Sequence, residues 1–260
     1  KNIMAAELRL IPAKIKTIEE LGLPQICHKF AVLKQGLILV TGPTGQGKSS
    51  TLAAIIEEIN RTRAEHILTI EDPIEFVYTP AMSIISQREL HSDTHSWDIA
   101  LRSALREDPD VVLVGEMRDF ETIAAALTVA ETGHLVFATL HTNSAAQTID
   151  RIIDVFPAEQ QAQIRSQLAM TIEAIFSQRL LPSLRGGRVA AAEYTVGSPR
   201  ADHEVRGLRL AQEKLVVLRT DGVLELLQHL AIGRSPRKEI RDDDPSVAPA
   251  IREVDAAGDG

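Results

Sequence analysis

Apolar residues occur along the chain in short blocks whose length and composition are typical of buried β-strands. The blocks are rich in branched side chains and are bounded by polar residues, glycine or proline. They read GLILVTG (residues 36–42), HILTIED (66–72), DVVLVGE (110–116) and HLVFATLH (134–141). We therefore predict a strand at each of these positions.

Between these blocks, apolar residues recur at three- and four-residue spacing, which is the period of an amphipathic helix. The helical segments are KSSTLAAIIEEINRTR (48–63), SWDIALRSALRE (96–107) and DFETIAAALTVAET (119–132). Strands that alternate with helices predict an α/β fold, with a mainly parallel sheet flanked by helices on both faces. In such a sheet, ligands bind at the carboxyl ends of the strands.

Composition narrows the class of protein further. With 260 residues, 44% of them hydrophobic, the chain is long enough for one sizeable domain with a real core. A net charge of -8 and 3% aromatic residues argue against a nucleic-acid partner, which needs a basic field and stacking rings. Cys27 is the only cysteine, so neither an intrachain disulfide nor a four-cysteine zinc site can form. No run approaches the ~18 apolar residues of a transmembrane segment.

The first predicted strand ends in GPTGQGKSS, which satisfies the phosphate-loop pattern G-x-x-x-x-G-K-[ST] between a strand and a helix. Its glycines allow backbone N–H groups to surround phosphate oxygens, and the helix N-terminus adds partial positive charge. We expect Lys48 to reach the β- and γ-phosphates and Ser49 to hold Mg²⁺. The predicted nucleotide-binding residues are Gly42, Pro43, Thr44, Gly45, Gln46, Gly47, Lys48, Ser49 and Ser50.

Ionisable side chains follow the other three predicted strands at the same end. Glu71 and Glu75 follow the second strand, Glu116 follows the third, and His141 follows the fourth. If the strands are parallel, these side chains meet Lys48 at one edge of the sheet. Magnesium, an attacking water and a γ-phosphate need about this set of groups, with Glu116 as the candidate metal ligand beside Ser49.

Each acidic side chain also has a structural alternative. Glu71 or Asp72 could cap the turn that follows its strand, a common use of acids at such places. Glu116 could instead form a surface ion pair with Arg118. The pattern alone leaves both possibilities open.

Two histidines bracket the fourth predicted strand. With a rise of ~3.3 Å per residue along 135–140, His134 and His141 lie about 23 Å apart, at opposite ends of the sheet. His141 could simply belong to the polar start of the next helix, where Asn143 or Ser144 suits the N-cap position. His134 is at the wrong end for phosphate chemistry, so a structural or interface role is favoured.

Four blocks in this order resemble the secretion ATPase superfamily and, within it, the PilT-like motors that retract type IV pili. They are GPTGQGKSST, TIEDPIEF, VGEMRD and ETGHLVFATLHTNSAAQTIDRIIDVFP, and they are similar to that family's phosphate loop, Asp box, acidic strand-end motif and His box. The resemblance covers residues 9–195. It implies a RecA-like P-loop NTPase core that binds ATP and Mg²⁺. It also implies a cytoplasmic ring, usually a hexamer, that docks on an inner-membrane pilus platform protein.

The resemblance also assigns roles to individual residues. Lys48 and Ser49 match nucleotide-binding residues, and Glu116 matches the acid associated with magnesium and hydrolysis. Glu75 matches the Asp-box glutamate that orients or activates water, with Glu71 in support. His134 and His141 match the His-box pair needed for coupling. We hypothesise that His141 senses the γ-phosphate while His134 holds a contact that shifts as the ring cycles.

A ring ATPase commonly completes its site with an arginine from the neighbouring subunit. The candidates are Arg9, Arg61, Arg63, Arg102 and Arg106. Most surface arginines carry only solvated charge, so the sequence singles out none of them.

Other functions stay open at this point. The lack of a four-cysteine module and the GEMRD and ALREDPD segments favour retraction, but a zinc-free pilus assembly or type II secretion ATPase is an alternative. A RecA-like nucleic-acid motor would need basic, aromatic-bearing loops. A regulator that binds ATP without hydrolysis would keep Lys48 but would not need Glu75 and Glu116.

We expect the following organisation of the chain. Residues 1–24 are the end of an N-terminal domain and a linker, and residues 25–195 are the RecA-like motor domain. Residues 196–240 are a divergent, partly helical C-terminal extension, in which Leu224, Leu227 and Leu230 could line a short helix. Residues 241–260 have the composition of a disordered acidic tail. Because the chain begins at Lys1 inside an apparent strand, we expect a fragment. The divergence after residue 196 indicates either a frameshift or an altered motor.

Overall fold

The computed structural model describes residues 10–183, 187–197 and 210–217. The helices in these residues are α1 (Ile26–Val32), α2 (Lys48–Thr62), α3 (Trp97–Ala104), α4 (Phe120–Glu131), α5 (Ala145–Asp154) and α6 (Ala158–Thr171). The strands are β1 (Gly36–Thr41), β2 (His66–Glu71), β3 (Ile84–Glu89), β4 (Val111–Val114), β5 (Leu135–Leu140), β6 (Ile172–Pro182), β7 (Arg188–Gly197) and β8 (Leu210–Val217).

All these strands belong to one sheet, in the order β3-β2-β4-β5-β1-β6-β7-β8. The pairs from β3 to β6 are parallel, whereas β7 is antiparallel to both β6 and β8. The predicted α/β fold with a mainly parallel sheet flanked by helices is confirmed. Every residue of β1, β4 and β5 is buried, as expected for central parallel strands covered on both faces.

The alternation of side chains along β1 shows how the two faces are covered. Leu37 and Leu39 belong to an apolar cluster that includes residues of α3, α4, α5 and α6. Ile38 and Val40 belong to a second cluster, which includes residues of α1 and α2. Because successive side chains of a strand point to opposite faces, the sheet separates two apolar cores. Among the described residues, no helix combines the length and apolar character that crossing a membrane requires.

The predicted strands correspond to β1, β2, β4 and β5, and the predicted helices correspond to α2, α3 and α4. No apolar pattern in the sequence indicated β3, β6, β7 or β8. Within the segment predicted as partly helical, 196–240, the described residues 210–217 are a strand that pairs with β7. The helix predicted at Leu224, Leu227 and Leu230 and the tail at 241–260 lie outside the described residues.

The chain before α1 packs against the helical layer that covers one face of the sheet. Ile15, Ile18 and Leu23 are buried in the same apolar cluster as α2. In addition, His28 Nδ1 lies 2.8 Å from Glu58 Oε2, and His28 Nε2 lies 3.2 Å from Glu19 Oε1. The described part of the predicted linker therefore contacts the sheet's helical layer, while the domain boundaries at residues 24 and 195 stay predictions.

Candidate active site

The phosphate loop connects the end of β1 to the first residue of α2. Gly42, Gly45 and Gly47 have φ values of 142°, 76° and 82°, a region that favours glycine. A Cβ atom on Gly42 would lie 2.3 Å from the carbonyl oxygen of Gln178 in β6. The loop therefore turns tightly and lies against the neighbouring strand.

Lys48 is buried at the start of α2 and bonds back across the loop. Its Nζ donates to the carbonyl oxygens of Gly42, at 2.8 Å, and Pro43, at 3.1 Å. Burial lowers the pKa of Lys48, whereas the nearby charges of Glu116 and Glu75 oppose that shift. The first turn of α2 carries no acidic side chain, so its N-terminus is electrostatically favourable to an anion.

The Asp-box glutamates differ in their surroundings. Glu75 is half-buried, and its Oε1 accepts a hydrogen bond of 3.1 Å from Ser49 Oγ. Glu71 is buried, and its oxygens accept from Thr69 Oγ1 at 2.7 Å and from the Glu75 backbone N–H at 3.4 Å. Burial raises the pKa of Glu71 above its usual value. Glu71 thus organises the turn after β2, as the capping alternative predicted, while Glu75 reaches the phosphate loop.

Glu116 and His141 form a pair at the ends of β4 and β5. Glu116 Oε1 lies 3.1 Å from His141 Nε2, and Glu116 Oε2 accepts from Arg118 Nη2 at 2.6 Å. Burial alone would raise the pKa of Glu116, but Arg118 and His141 outweigh it and the pKa lies below the usual value. His141 Nδ1 lies 3.3 Å from Thr44 Oγ1, so the ring connects the acid to the phosphate loop.

One cavity of about 650 Å³ receives most of the predicted residues. Its lining includes Thr44, Gly45, Gly47, Lys48, Ser49 and Ser50 from the predicted loop. It also includes Glu71, Glu75, Glu116 and His141. Gly42, Pro43 and Gln46 of the predicted set are not part of this lining. The carbonyl oxygens of Gly42 and Pro43 accept hydrogen bonds from Lys48. Gly42 and Gln46 contact β6.

The other His-box residue is elsewhere. His134 lies at the amino end of β5, where its Nδ1 is 3.0 Å from the Val129 carbonyl oxygen and 3.0 Å from Thr132 Oγ1. These contacts are with the end of α4 and the residue after it. The structure therefore separates the two histidines, as the strand length predicted.

The candidate arginines mostly have partners within the chain. Arg61 pairs with Glu57, and Arg102 pairs with Asp98. Arg63 is largely buried, and its Nη1 donates to the carbonyl oxygens of Ala31 and Leu33, at 2.6 and 2.8 Å. That environment suits a structural role for Arg63. Arg9 lies outside the described residues.

Sequence reasoning missed several residues of the site. Gln178 and Leu180 of β6 contact the loop, and Arg188 and Trp97 line the cavity. No motif marks them, because β6 reaches the loop only through its pairing with β1, while Arg188 begins β7 and Trp97 begins α3. The SQRL segment of β6 contains no pattern that predicts a contact with residues 42–51.

The oxygen atoms that line the cavity fit a Mg²⁺ ion that is coordinated partly by the protein and partly by a nucleotide. Ser49, Glu75 and Glu116 face the same cavity, and hydroxyl and carboxylate oxygens are ligands that Mg²⁺ prefers. Among the described residues, no group of three or more His, Cys, Asp or Glu side chains is arranged to hold a metal alone. An ion held by one or two protein oxygens together with phosphates and water satisfies both observations.

The fold and the loop together define a P-loop nucleotide-binding protein. The chain belongs to the type II/IV secretion system protein family, whose model matches residues 9–244. The resemblance to secretion ATPases that four sequence blocks indicated is thereby confirmed.

Two relatives and one solved structure make the resemblance more specific. The type IV pilus retraction ATPase PilT of Pseudomonas aeruginosa is 55% identical over 207 residues, which cover 80% of this chain and 60% of that protein. The twitching motility protein of Neisseria gonorrhoeae is 56% identical over 209 residues, or 80% of this chain and 56% of that protein. The crystal structure of the pilus retraction motor PilT with bound ADP matches with a TM-score of 0.72 and 55% identity, covering 74% of this chain and 56% of that chain. This chain thus spans little more than half the length of these relatives.

The contact between the loop and β6 gives a prediction about folding stability. Gly42→Ala should cost roughly 1 to 3 kcal/mol more than Gly45→Ala, because only the former places a methyl group against the Gln178 carbonyl. Gly45 also has positive φ, but its new Cβ would meet nothing within 4 Å, so it controls for backbone strain. Urea unfolding of the two variants measures the difference. Equal losses would contradict the close approach.

Proposed function

We propose that the whole protein is an ATPase that works as a ring and retracts type IV pili. The observation that carries the proposal is the single cavity in which the phosphate loop meets Glu75, Glu116 and His141. The printed names of the relatives, a pilus retraction ATPase and a twitching motility protein, support retraction in particular. The bound ADP in the related retraction motor supports an adenine nucleotide as the ligand.

The residues of the cavity take distinct roles in this proposal. The loop N–H groups and the Lys48 ammonium bind the phosphates, and Ser49 with Glu116 holds Mg²⁺. When bound, Mg²⁺ neutralises charge on the phosphoryl oxygens. Glu75 orients the attacking water and accepts its proton, and its carboxylate accepts a hydrogen bond from Ser49, which would hold Mg²⁺.

Glu71 holds the turn that carries Glu75. Its Oε2 accepts a hydrogen bond from the Glu75 backbone N–H, its Oε1 accepts from Thr69 Oγ1 in β2, and the side chain is buried. A carboxylate with that environment fixes the backbone of the turn. We therefore assign the water-activating role to Glu75 and the positioning role to Glu71.

We propose a cytoplasmic homo-oligomer, a hexamer, that docks on an inner-membrane pilus platform protein and takes an arginine from a neighbouring subunit. The names of the relatives support a pilus partner. Pilus assembly and type II secretion are the alternatives within the family, and stimulation of hydrolysis by DNA would instead indicate a nucleic-acid motor.

The first test is ATP hydrolysis by the full-length protein, with its oligomeric state measured on the same sample. Lys48→Ala should weaken nucleotide binding roughly ten- to a hundredfold, because charge-assisted hydrogen bonds worth ~1.5 to 3 kcal/mol are lost. A retraction defect in cells carrying Lys48→Ala should accompany the loss of hydrolysis. An oligomer that binds ATP but never hydrolyses it would contradict the ATPase proposal.

The acids should behave differently from the lysine. Glu75→Gln and Glu116→Gln should leave the Kd for ADP little changed but lower kcat, for Glu75→Gln by roughly 10² to 10⁴, because that role arises in the transition state. Equilibrium binding and steady-state hydrolysis measure the two effects separately. Equal loss of ADP binding in Lys48→Ala, Glu75→Gln and Glu116→Gln would contradict these assignments.

The contact of His141 with both Thr44 and Glu116 predicts a response to the γ-phosphate. His141→Ala should weaken binding of a non-hydrolysable ATP analogue and should leave ADP binding unchanged. His134→Ala is the matched control, since that ring contacts the end of α4 at the far end of β5. The ratio of the Kd for the ATP analogue to the Kd for ADP, determined for each variant, measures the effect. A His141→Ala protein with the wild-type ratio and intact motility would remove the sensing role.

A further inference from the structure

A buried glutamine joins the phosphate loop to the strand behind it. Gln178 lies in β6 and is only 2% exposed. Its Oε1 accepts a hydrogen bond of 2.6 Å from Thr51 Oγ1, and its Nε2 donates to the Gln46 carbonyl oxygen at 2.8 Å. One side-chain amide therefore spans the point at which the loop becomes α2.

Hydrogen-bonding chemistry fixes the orientation of this amide. A backbone carbonyl can only accept, so the NH₂ group of Gln178 must face Gln46. The amide oxygen then faces the Thr51 hydroxyl, which can donate to it. Both ends are engaged in a buried environment, where leaving a polar group without its partner is costly. The amide is thus held in one position.

The planarity of the peptide bond carries this constraint into the cavity. In a trans peptide, the carbonyl of one residue and the N–H of the next point in opposite directions. Gln178 holds the Gln46 carbonyl towards β6, so the Gly47 N–H is directed away from β6. Loop N–H groups of this kind surround the phosphates in a P-loop.

Further contacts hold the same part of the loop. The Leu180 backbone N–H donates to Gln46 Oε1 at 2.6 Å, so both the backbone and the side chain of Gln46 bond to β6. Gly42 packs against the Gln178 carbonyl at the other end of the loop. β6 therefore contacts the loop both at Gly42 and at Gln46.

We infer that Gln178 is a positioning residue of the nucleotide site, which orients the Gly47 N–H for phosphate binding through the Gln46 carbonyl. The inference rests on the proposed nucleotide-binding function and extends it to a residue outside the phosphate-loop motif. A preorganised loop binds more tightly because less ordering accompanies binding. The β-phosphate is common to ADP and ATP, so the effect is the same for both nucleotides.

The test compares three variants of the full-length protein. Gln178→Met keeps the approximate volume but removes both hydrogen bonds, and Gln178→Glu removes only the donor to Gln46. Ser177→Ala is the matched control, because the buried Ser177 hydroxyl bonds to Thr41 Oγ1 at 2.8 Å and not to the loop. Equilibrium titration gives the Kd for ADP and for a non-hydrolysable ATP analogue, and thermal unfolding without nucleotide gives the Tm.

Gln178→Met should raise the Kd for both nucleotides about tenfold and to the same extent. It should also raise KM more than it lowers kcat. Gln178→Glu should bind more weakly still, because a carboxylate then faces the Gln46 carbonyl close to the phosphates. Ser177→Ala should keep the wild-type Kd values. A Gln178→Met protein with lower Tm but wild-type affinity would show a purely structural role and overturn the inference.

Two results of these titrations distinguish failure of the proposed function from failure of the inference about Gln178. Wild-type protein that binds neither nucleotide would refute the proposed function itself. Binding that is lost in Lys48→Ala but retained in Gln178→Met would refute only the role of Gln178. If Gln178→Met does not fold, Gln178→Glu keeps the acceptor for Thr51 and removes the donor to Gln46, and wild-type affinity in that variant would overturn the inference.

Discussion

Parallel pairing of the central strands is the constraint on which the site depends. β1 pairs with β5 on one side and with β6 on the other, while β4 joins β5 to β2. Because the chain runs in one direction through all of them, the residues after Thr41, Glu71, Val114 and Leu140 emerge at the same edge. Groups that are far apart in sequence meet there as a result of strand direction alone. The helices on both faces bury the sheet and keep those strand ends in place.

Side chains of both charges line the cavity at this edge. Lys48 is buried, and Glu75 and Glu116 lie near enough to oppose the effect of that burial on its pKa. The same carboxylates would repel an incoming triphosphate. In the proposed function, a divalent cation held by Ser49 and Glu116 would reduce the repulsion between the carboxylates and the phosphates of a nucleotide.

The sequence predicted those parts of the fold and site whose cause is local. Runs of branched apolar residues identified β1, β2, β4 and β5, and the glycine pattern identified the loop between β1 and α2. β3 was missed because it is only half-buried and carries polar side chains along most of its length. Gln178 was missed because its partner Gln46 is 132 residues away and nothing near either residue indicates the contact. The different roles of Glu71 and Glu75 follow from burial, which depends on tertiary packing.

The hydrogen bonds from Lys48 to the carbonyls of Gly42 and Pro43 have a consequence for selectivity. An arriving molecule must compete with two peptide oxygens for the ammonium group. Charged phosphate oxygens are stronger acceptors than carbonyl oxygens, whereas water and sugar hydroxyls are not. Replacing these internal bonds is therefore more favourable for an anion than for a neutral molecule.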